Sequence, residues 1–227
     1  MVKEQMGIKV NQKLNVLRAG VLGANDGIVS TAGIVLGVAG ATTNTMTILI
    51  SGLAGLLAGA FSMGGGEFVS VSTQKDTEKA LIDLEKAELR EDYEGEVEEL
   101  TQIYVERGLS ENLSRQVAIE LMSKDALAAH ASAELGINPG EYVNPWHAAF
   151  SSMFSFTIGA ILPFLAIVLL PSSIRVLFTV LAVLVGLSLT GYISAHLGDA
   201  PKGPAILRNV LVGGLTMFIT YSIGTLF

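Results

Sequence analysis

The sequence has no cysteine, so disulfides and thiolate metal sites are excluded. Acidic residues are scarce over most of its length. Outside residues 73–145 only Glu4, Asp26, Glu67 and Asp199 occur. Catalytic signatures are missing as well. There is no phosphate-binding P-loop, no Gly-x-Ser-x-Gly elbow and no zinc-protease helix motif. There is also no Glu-x-x-His pair of the kind that builds a ferritin-type di-iron centre. The sequence therefore does not read as an enzyme. The first sixteen residues are polar and lack the short apolar core and cleavage site of a secretory signal.

What remains is largely apolar. Half of the 227 residues are hydrophobic and the mean hydropathy is +0.54, a composition of membrane proteins rather than soluble domains. The formal charge of −7 is unevenly spread. Residues 73–145 hold 17 of the 21 acids and 7 of the 14 bases, a local net of −10 against +3 elsewhere. A basic-flanked membrane part thus carries an acidic insert. Such an insert disfavours nucleic acid and anionic lipid and favours cations.

The pattern predicts an all-α membrane protein with five transmembrane helices and a small helical cytoplasmic domain between the second and third. Residues 1–15 form a cytoplasmic tail, 16–72 the first two spans, 73–145 the acidic domain and 146–227 the last three spans. The spans, near 16–40, 46–72, 146–170, 174–196 and 205–227, each suit the roughly 20 residues needed to cross the hydrocarbon. The tail, the acidic domain and the 197–204 loop fall on one side. With their flanks they hold every Lys and Arg except Arg175, which marks that side as cytoplasmic. The pairs Gly23/Gly27 and Gly33/Gly37 are small-xxx-small patterns, open to either packing within the chain or dimerisation. Gly64-Gly65-Gly66 is a poor helix segment, which costs roughly 1 kcal/mol per glycine relative to alanine.

Two acids interrupt the apolar spans: Asp26 in Ala24-Asn25-Asp26-Gly27 and Glu67 in Ser62-Met63-Gly64-Gly65-Gly66-Glu67. Ionisable groups at membrane depth are costly and by default mark a functional path. Asp26 and Met63 each lie about 13 Å from the cytoplasmic end of their spans by helical rise, so they share a level. A carboxylate with a thioether suits a first-row divalent ion such as Fe²⁺, with Mn²⁺ or Co²⁺ also fitting. Either acid could instead carry a proton. The structural alternatives are an Asp26 pairing with Arg18 or Asn25, and a Met63 that fills a gap between helices.

In the acidic domain Glu85/Glu88 and Glu96/Glu99 are i,i+3 pairs. On one unbroken helix they would share a face, the pairs being about 20° apart after three turns. A break at Gly95 would make them meet by folding instead. Clustered like charges are destabilising unless a cation compensates them; the alternative is a solvated acidic helix. His130 and Glu134 are i,i+4 and could hold a transition metal or form a surface contact. His147 and His196 lie near span ends, as interfacial residues do.

Taken together, these segments resemble the vacuolar iron transporter family. The resemblance spans nearly the whole chain. It includes Asn25-Asp26-Gly27, Ser62 to Ser70, Tyr104-Val105-Glu106-Arg107-Gly108-Leu109 and Asp125-Ala126-Leu127-Ala128-Ala129-His130. It implies a homodimer, with a path at the dimer interface lined by the first two spans, and proton-coupled export of Fe²⁺ from the cytoplasm. It places Asp26 and Met63 on that path; Asn25 and Glu67, from the same two segments, are read as belonging to it as well. It assigns Glu85, Glu88, Glu96, Glu99 and Glu134 to a metal-binding domain. Where some family members carry paired methionines before the last glutamate, this chain has His130 and Ala131. That widens the expected cargo to Mn²⁺, Co²⁺ or Zn²⁺. No cofactor is expected; the expected partners are the lipid bilayer, divalent ions, protons and a second copy of the chain. A non-transporting membrane metal sensor is the alternative from another class. The short tails point to a prokaryotic plasma membrane, or to the vacuolar membrane in a eukaryote.

Overall fold

The computed structural model describes the backbone of residues 2–227 and the side chains of residues 20–227. Seven helices follow one another: α1 (Val2–Ala41), α2 (Thr45–Glu91), α3 (Tyr93–Glu106), α4 (Glu111–Glu134), α5 (Pro145–Leu169), α6 (Arg175–Leu197) and α7 (Lys202–Gly224). The described residues contain no strand. Parts of α1 and α2, and all of α5, α6 and α7, are long and apolar enough to cross a membrane, matching the five spans read from the sequence. The chain divides into two compact units, one of residues 1–69 with 145–227 and the other of residues 70–144.

In the first unit α1 is the central element and packs against α5, α6 and α7. Its glycines explain how. A Cβ on Gly27 would lie 2.1 Å from the carbonyl oxygen of Phe156, and one on Gly159 would lie 2.1 Å from that of Ala24. At the other end of α1, a Cβ on Gly224 would lie 1.9 Å from the Gly37 carbonyl. Helices in lipid gain no hydrophobic drive from one another, so close backbone approach at small residues provides the packing. The question left open by the glycine pairs is thus answered for Gly23, Gly27 and Gly37: they face α5 and α7 of the same chain. α2 leans on this core through Gly52, Gly55 and Gly59, which accommodate Val35, Ile34 and Phe156. Ile28, Ala32, Val35, Leu36, Ile167, Val183 and Leu187 form the buried apolar centre.

Arg175, the base set apart by the charge pattern, is 2% exposed. Its guanidinium donates to the Thr43 carbonyl at 2.8 Å and to the Thr45 hydroxyl at 3.1 Å. It therefore ties the start of α6 to the α1–α2 turn. The guanidinium also lies near the C-terminal end of α1, where a helix dipole favours a cation.

The second span and the first helical stretch of the acidic segment form one helix, α2, of 47 residues. It runs unbroken through Gly64-Gly65-Gly66. In an apolar surrounding the backbone has no water to turn to, so helical hydrogen bonds persist despite poor propensity. Of the two arrangements open to the glutamate pairs, one unbroken helix or a break near Gly95, the chain takes the break, at Asp92, whose carboxylate accepts the Gly95 amide at 3.0 Å and caps α3. Gly95 lies in the first turn of α3, where a Cβ would meet the Asp92 carboxylate.

In the second unit α3 and α4 pack around Val97, Leu100, Ala118 and Met122. α3 ends in a left-handed Gly108, with the Leu109 amide bonded back to the Tyr104 carbonyl. Ser110 stands at the start of α4 as the sequence suggested, although its hydroxyl makes no capping bond.

Candidate metal centre

Three helix segments of the second unit converge on His130. The end of α2 supplies Glu85, which is 2% exposed. The helix breaks at Asp92, and the first turn of α3 brings Glu96. α4 is broken internally at Asp125, whose φ of −159° and ψ of 94° are not helical. The Asp125 carboxylate accepts the Ala128 amide at 3.0 Å and caps a second helical stretch. That stretch carries His130 and Glu134 one turn apart. The internal cap was missed at the sequence level, although an Asp three residues before a free amide is its usual signal.

The imidazole of His130 is fully buried. Its Nδ1 lies 2.7 Å from Glu85 Oε1 and 3.2 Å from Glu134 Oε2, and its Nε2 lies 3.0 Å from Glu96 Oε2. Although these distances are short, neither ring nitrogen nor Glu85 Oε1 is aligned for a hydrogen bond. Buried polar atoms normally find a partner. Two ring nitrogens and a carboxylate oxygen gathered without an aligned bond between them leave room for a shared occupant, while Glu85 also bonds the Glu134 carboxyl. Glu85, Glu96 and His130 each offer a ligand atom within 4.8 Å of the others. Carboxylates with an imidazole suit a first-row divalent cation.

Electrostatics agree. Burial pushes the Glu85 carboxyl up to about 7; His130 opposes the rise, and the nearby Glu134 and Glu96 add to it. Burial also raises Glu96, again against His130, with Glu99, Glu88 and Glu134 contributing. Glu88 and Glu99 are themselves exposed at the edge of the cluster. The structure brings Glu85, Glu96 and Glu134 around His130 by folding rather than along one helix face.

A pH dependence follows for the metal-free protein. Glu85 titrates near 7 when folded and near 4.3 when unfolded. Between those values the folded state holds a proton that the unfolded state has released, so stability falls as pH rises through this window. Thermal melts of metal-free protein should show a lower Tm at pH 7.5 than at pH 5, and saturating Zn²⁺ should reverse the loss. A Tm that rises over this range would show that Glu85 is already ionised at pH 5.

The membrane residues are arranged differently. Asn25 points into the bundle: the Thr190 hydroxyl donates to its Oδ1 at 3.5 Å, and the Asn209 amide donates to Thr190 at 3.5 Å. Thr190 and Asn209, polar positions within α6 and α7, were not singled out from sequence. Asp26, the next residue, lies on the open face of α1 with Leu22. Among the described residues its carboxylate has no hydrogen-bond or ion-pair partner. The alternative partner Arg18 lies outside the described side chains. Met63 is half-buried beside Leu56, Ala60, Phe156 and Ala160, and Glu67 is also half-buried.

Comparison with known proteins gives the family. The sequence profile of the VIT family matches residues 17–225. A "Vacuolar iron transporter" of Acanthamoeba castellanii is 40% identical over 92% of this chain and 78% of its own length. "Vacuolar iron transporter homolog 3" of Arabidopsis thaliana is 36% identical over 90% of this chain and 80% of its own. "Vacuolar iron transporter homolog 2" of Oryza sativa subsp. japonica is 35% identical over 93% and 90%. These relatives are named as transporters, in keeping with a sequence that holds no catalytic motif. With a profile match over nearly its full length and five helices fit to cross a bilayer, this chain is an integral membrane protein that belongs to the VIT family.

Proposed function

We propose that this protein is a proton-coupled transporter that exports Fe²⁺ from the cytoplasm. The second unit would lie in the cytoplasm and gather the ion on Glu85, Glu96, His130 and Glu134, with Glu88 and Glu99 attracting it. The ion would then pass Asp26 and Met63 near mid-membrane while Asp26 or Glu67 exchanges a proton. The observation that carries this reading is the convergence of carboxylates on a buried imidazole whose nitrogens have no aligned partner. Relatives named as iron transporters supply the cargo.

A homodimer is part of the proposal, and Asp26 supports it. A carboxylate on the open face of an apolar helix is poorly suited to lipid. A second copy covering that face would enclose Asp26 in a path between protomers. Export would then run out of the cell, or into a vacuole, according to the membrane that holds the protein.

Mn²⁺ is a second reading, favoured by one observation: the buried centre offers only oxygen and imidazole ligands, with no thioether to prefer Fe²⁺. Flux of Fe²⁺ and of Mn²⁺ into proteoliposomes, with a proton-sensitive dye inside, tests both. Iron flux with opposing proton movement is expected. Faster manganese flux would keep the mechanism and change the cargo. No flux of either ion from correctly inserted dimer would favour a metal sensor.

A further inference from the structure

Arg175 stands apart in the first unit. Residues 27–66, 146–198 and 209–227 contain no other Asp, Glu, Lys or Arg. Its side chain is buried, and among the described residues no carboxylate pairs with it. A buried charge without a counter-ion is costly, and an ionisable group among membrane spans marks function by default. The needs of its two acceptors do not explain it. Thr43 and Thr45 are both exposed in the turn between spans, so water would serve them.

What the guanidinium supplies is geometry. Its two terminal nitrogens donate to different acceptors, Nη2 to the Thr43 carbonyl at 2.8 Å and Nη1 to the Thr45 hydroxyl at 3.1 Å. These lie on either side of Asn44, whose Oδ1 accepts the Met46 and Thr47 amides at 2.9 and 3.2 Å and caps α2. The planar fork thus fixes the turn where it enters α2. The fork is itself fixed, because Arg175 opens α6, and α6 packs through Val183 and Leu187 into the core that holds α1.

The turn matters because it sets how α2 lies along α1. The two helices meet at glycine notches, Gly52 against Val35 and Gly55 against Ile34, and packed elements can ratchet past one another by a turn. By helical rise Asp26 lies about 22 Å before the end of α1 and Met63 about 27 Å after the start of α2. A slip of α2 would carry Met63 away from the level of Asp26. We propose that Arg175 is a positioning residue for transport: gripping the α1–α2 turn from α6, it sets the register of α2 against α1 and so the spacing of Met63 from Asp26. This rests on reading Asp26 and Met63 as the path, and adds the residue that keeps its two walls in register.

The chain has no cysteine, so spin labels can be placed without background on Leu22→Cys of α1 and Leu57→Cys of α2, both exposed positions. Their separation is read by double electron–electron resonance in the full-length protein in lipid, with labelled copies diluted in unlabelled ones. Fe²⁺ flux and Tm are measured on the unlabelled protein. In Arg175→Met the distance distribution should shift or broaden, and flux should fall by about 100-fold, the loss that a group misplaced by about 1 Å can bring. Tm should hold or rise, since an apolar side chain of similar length replaces an unpaired buried charge. Thr45→Val removes one acceptor and keeps the cation. It should disturb the distance in the same sense but less, and it carries the test if Arg175→Met fails to fold.

Unchanged distances in both variants would overturn the proposal, whatever the flux. Loss of flux alone would make the Arg175 charge the operative property, and loss of Tm alone would make the residue structural. If the wild type moves neither Fe²⁺ nor Mn²⁺ while the distance still changes in Arg175→Met, the transport reading falls and the control of register stands.

Discussion

Asp26→Asn should reduce Fe²⁺ flux in proteoliposomes to that of empty vesicles while the protein still inserts and elutes as the same oligomer. The change keeps the size and polarity of the side chain and removes only its charge and its ability to take up a proton. Within one protomer that charge has no described partner, so no internal ion pair is broken, and the folding cost should be small. An exposed carboxylate in an apolar span is itself costly; its neutral counterpart should if anything stabilise the isolated protein. A purely structural role predicts the opposite pattern, with lowered Tm or lost assembly alongside lost flux. Measuring flux, Tm and elution volume on the same preparation separates the two. Flux at the wild-type rate in Asp26→Asn would take Asp26 off the path.

Gly27→Ala should destabilise the protein more than most single methyl additions. The new Cβ would lie 2.1 Å from the Phe156 carbonyl oxygen, and contacts under 3.0 Å are essentially never seen. The neighbour is backbone and cannot swing aside as a side chain can. Relief requires α1 and α5 to separate, and that separation would also disturb the reciprocal contact of Gly159 with Ala24. Overpacking typically costs about 1–3 kcal/mol, and the upper end is expected here. For a chain of this size that is a fall in Tm of roughly 6–12 °C. Gly214→Ala is the matched control: its Cβ would meet nothing within 4 Å, so its Tm should hold or rise slightly from better helix propensity. Equal Tm values for the two variants would mean that α1 and α5 do not cross at Gly27.

These two predictions are linked through the fold. The glycines that let α1 meet α5 are Gly23 and Gly27, which flank Asn25 and Asp26. Once that crossing is set, the rotation of α1 is fixed. Asn25 then turns inward to Thr190, and Asp26 falls on the open face. Sequence could place both polar residues at one depth, but not tell which pointed where. A hydrophobic run that is apolar on every side carries no periodic signal for its inner face.

The same division runs through the second unit. The i,i+3 glutamate pairs were legible because helical spacing alone puts such residues on one face. A break between the pairs was one of two alternatives, with Gly95 as its candidate. The carboxylate of Asp92, capping the next helix, decides it, because a cap satisfies amides that a glycine would leave open. His130 and Glu134 were recognised as neighbours. That the ring would be fully buried among Glu85, Glu96 and Glu134 depended on the internal break at Asp125 and on three segments meeting.

By itself, then, the sequence determined that this chain is helical, that five stretches are apolar enough to span a bilayer, and that two acids interrupt those stretches while 17 of the 21 crowd into one segment. All of these follow from composition and from the 3.6-residue period, which are local properties. The tertiary structure alone decided that Gly23, Gly27 and Gly37 pack within the chain, that Arg175 holds the α1–α2 turn, that Asn25 and Asp26 part company, and that a histidine sits at the middle of the glutamates. Each of these is a contact between residues far apart in the chain, set by which helix faces meet, and helical periodicity does not encode that choice.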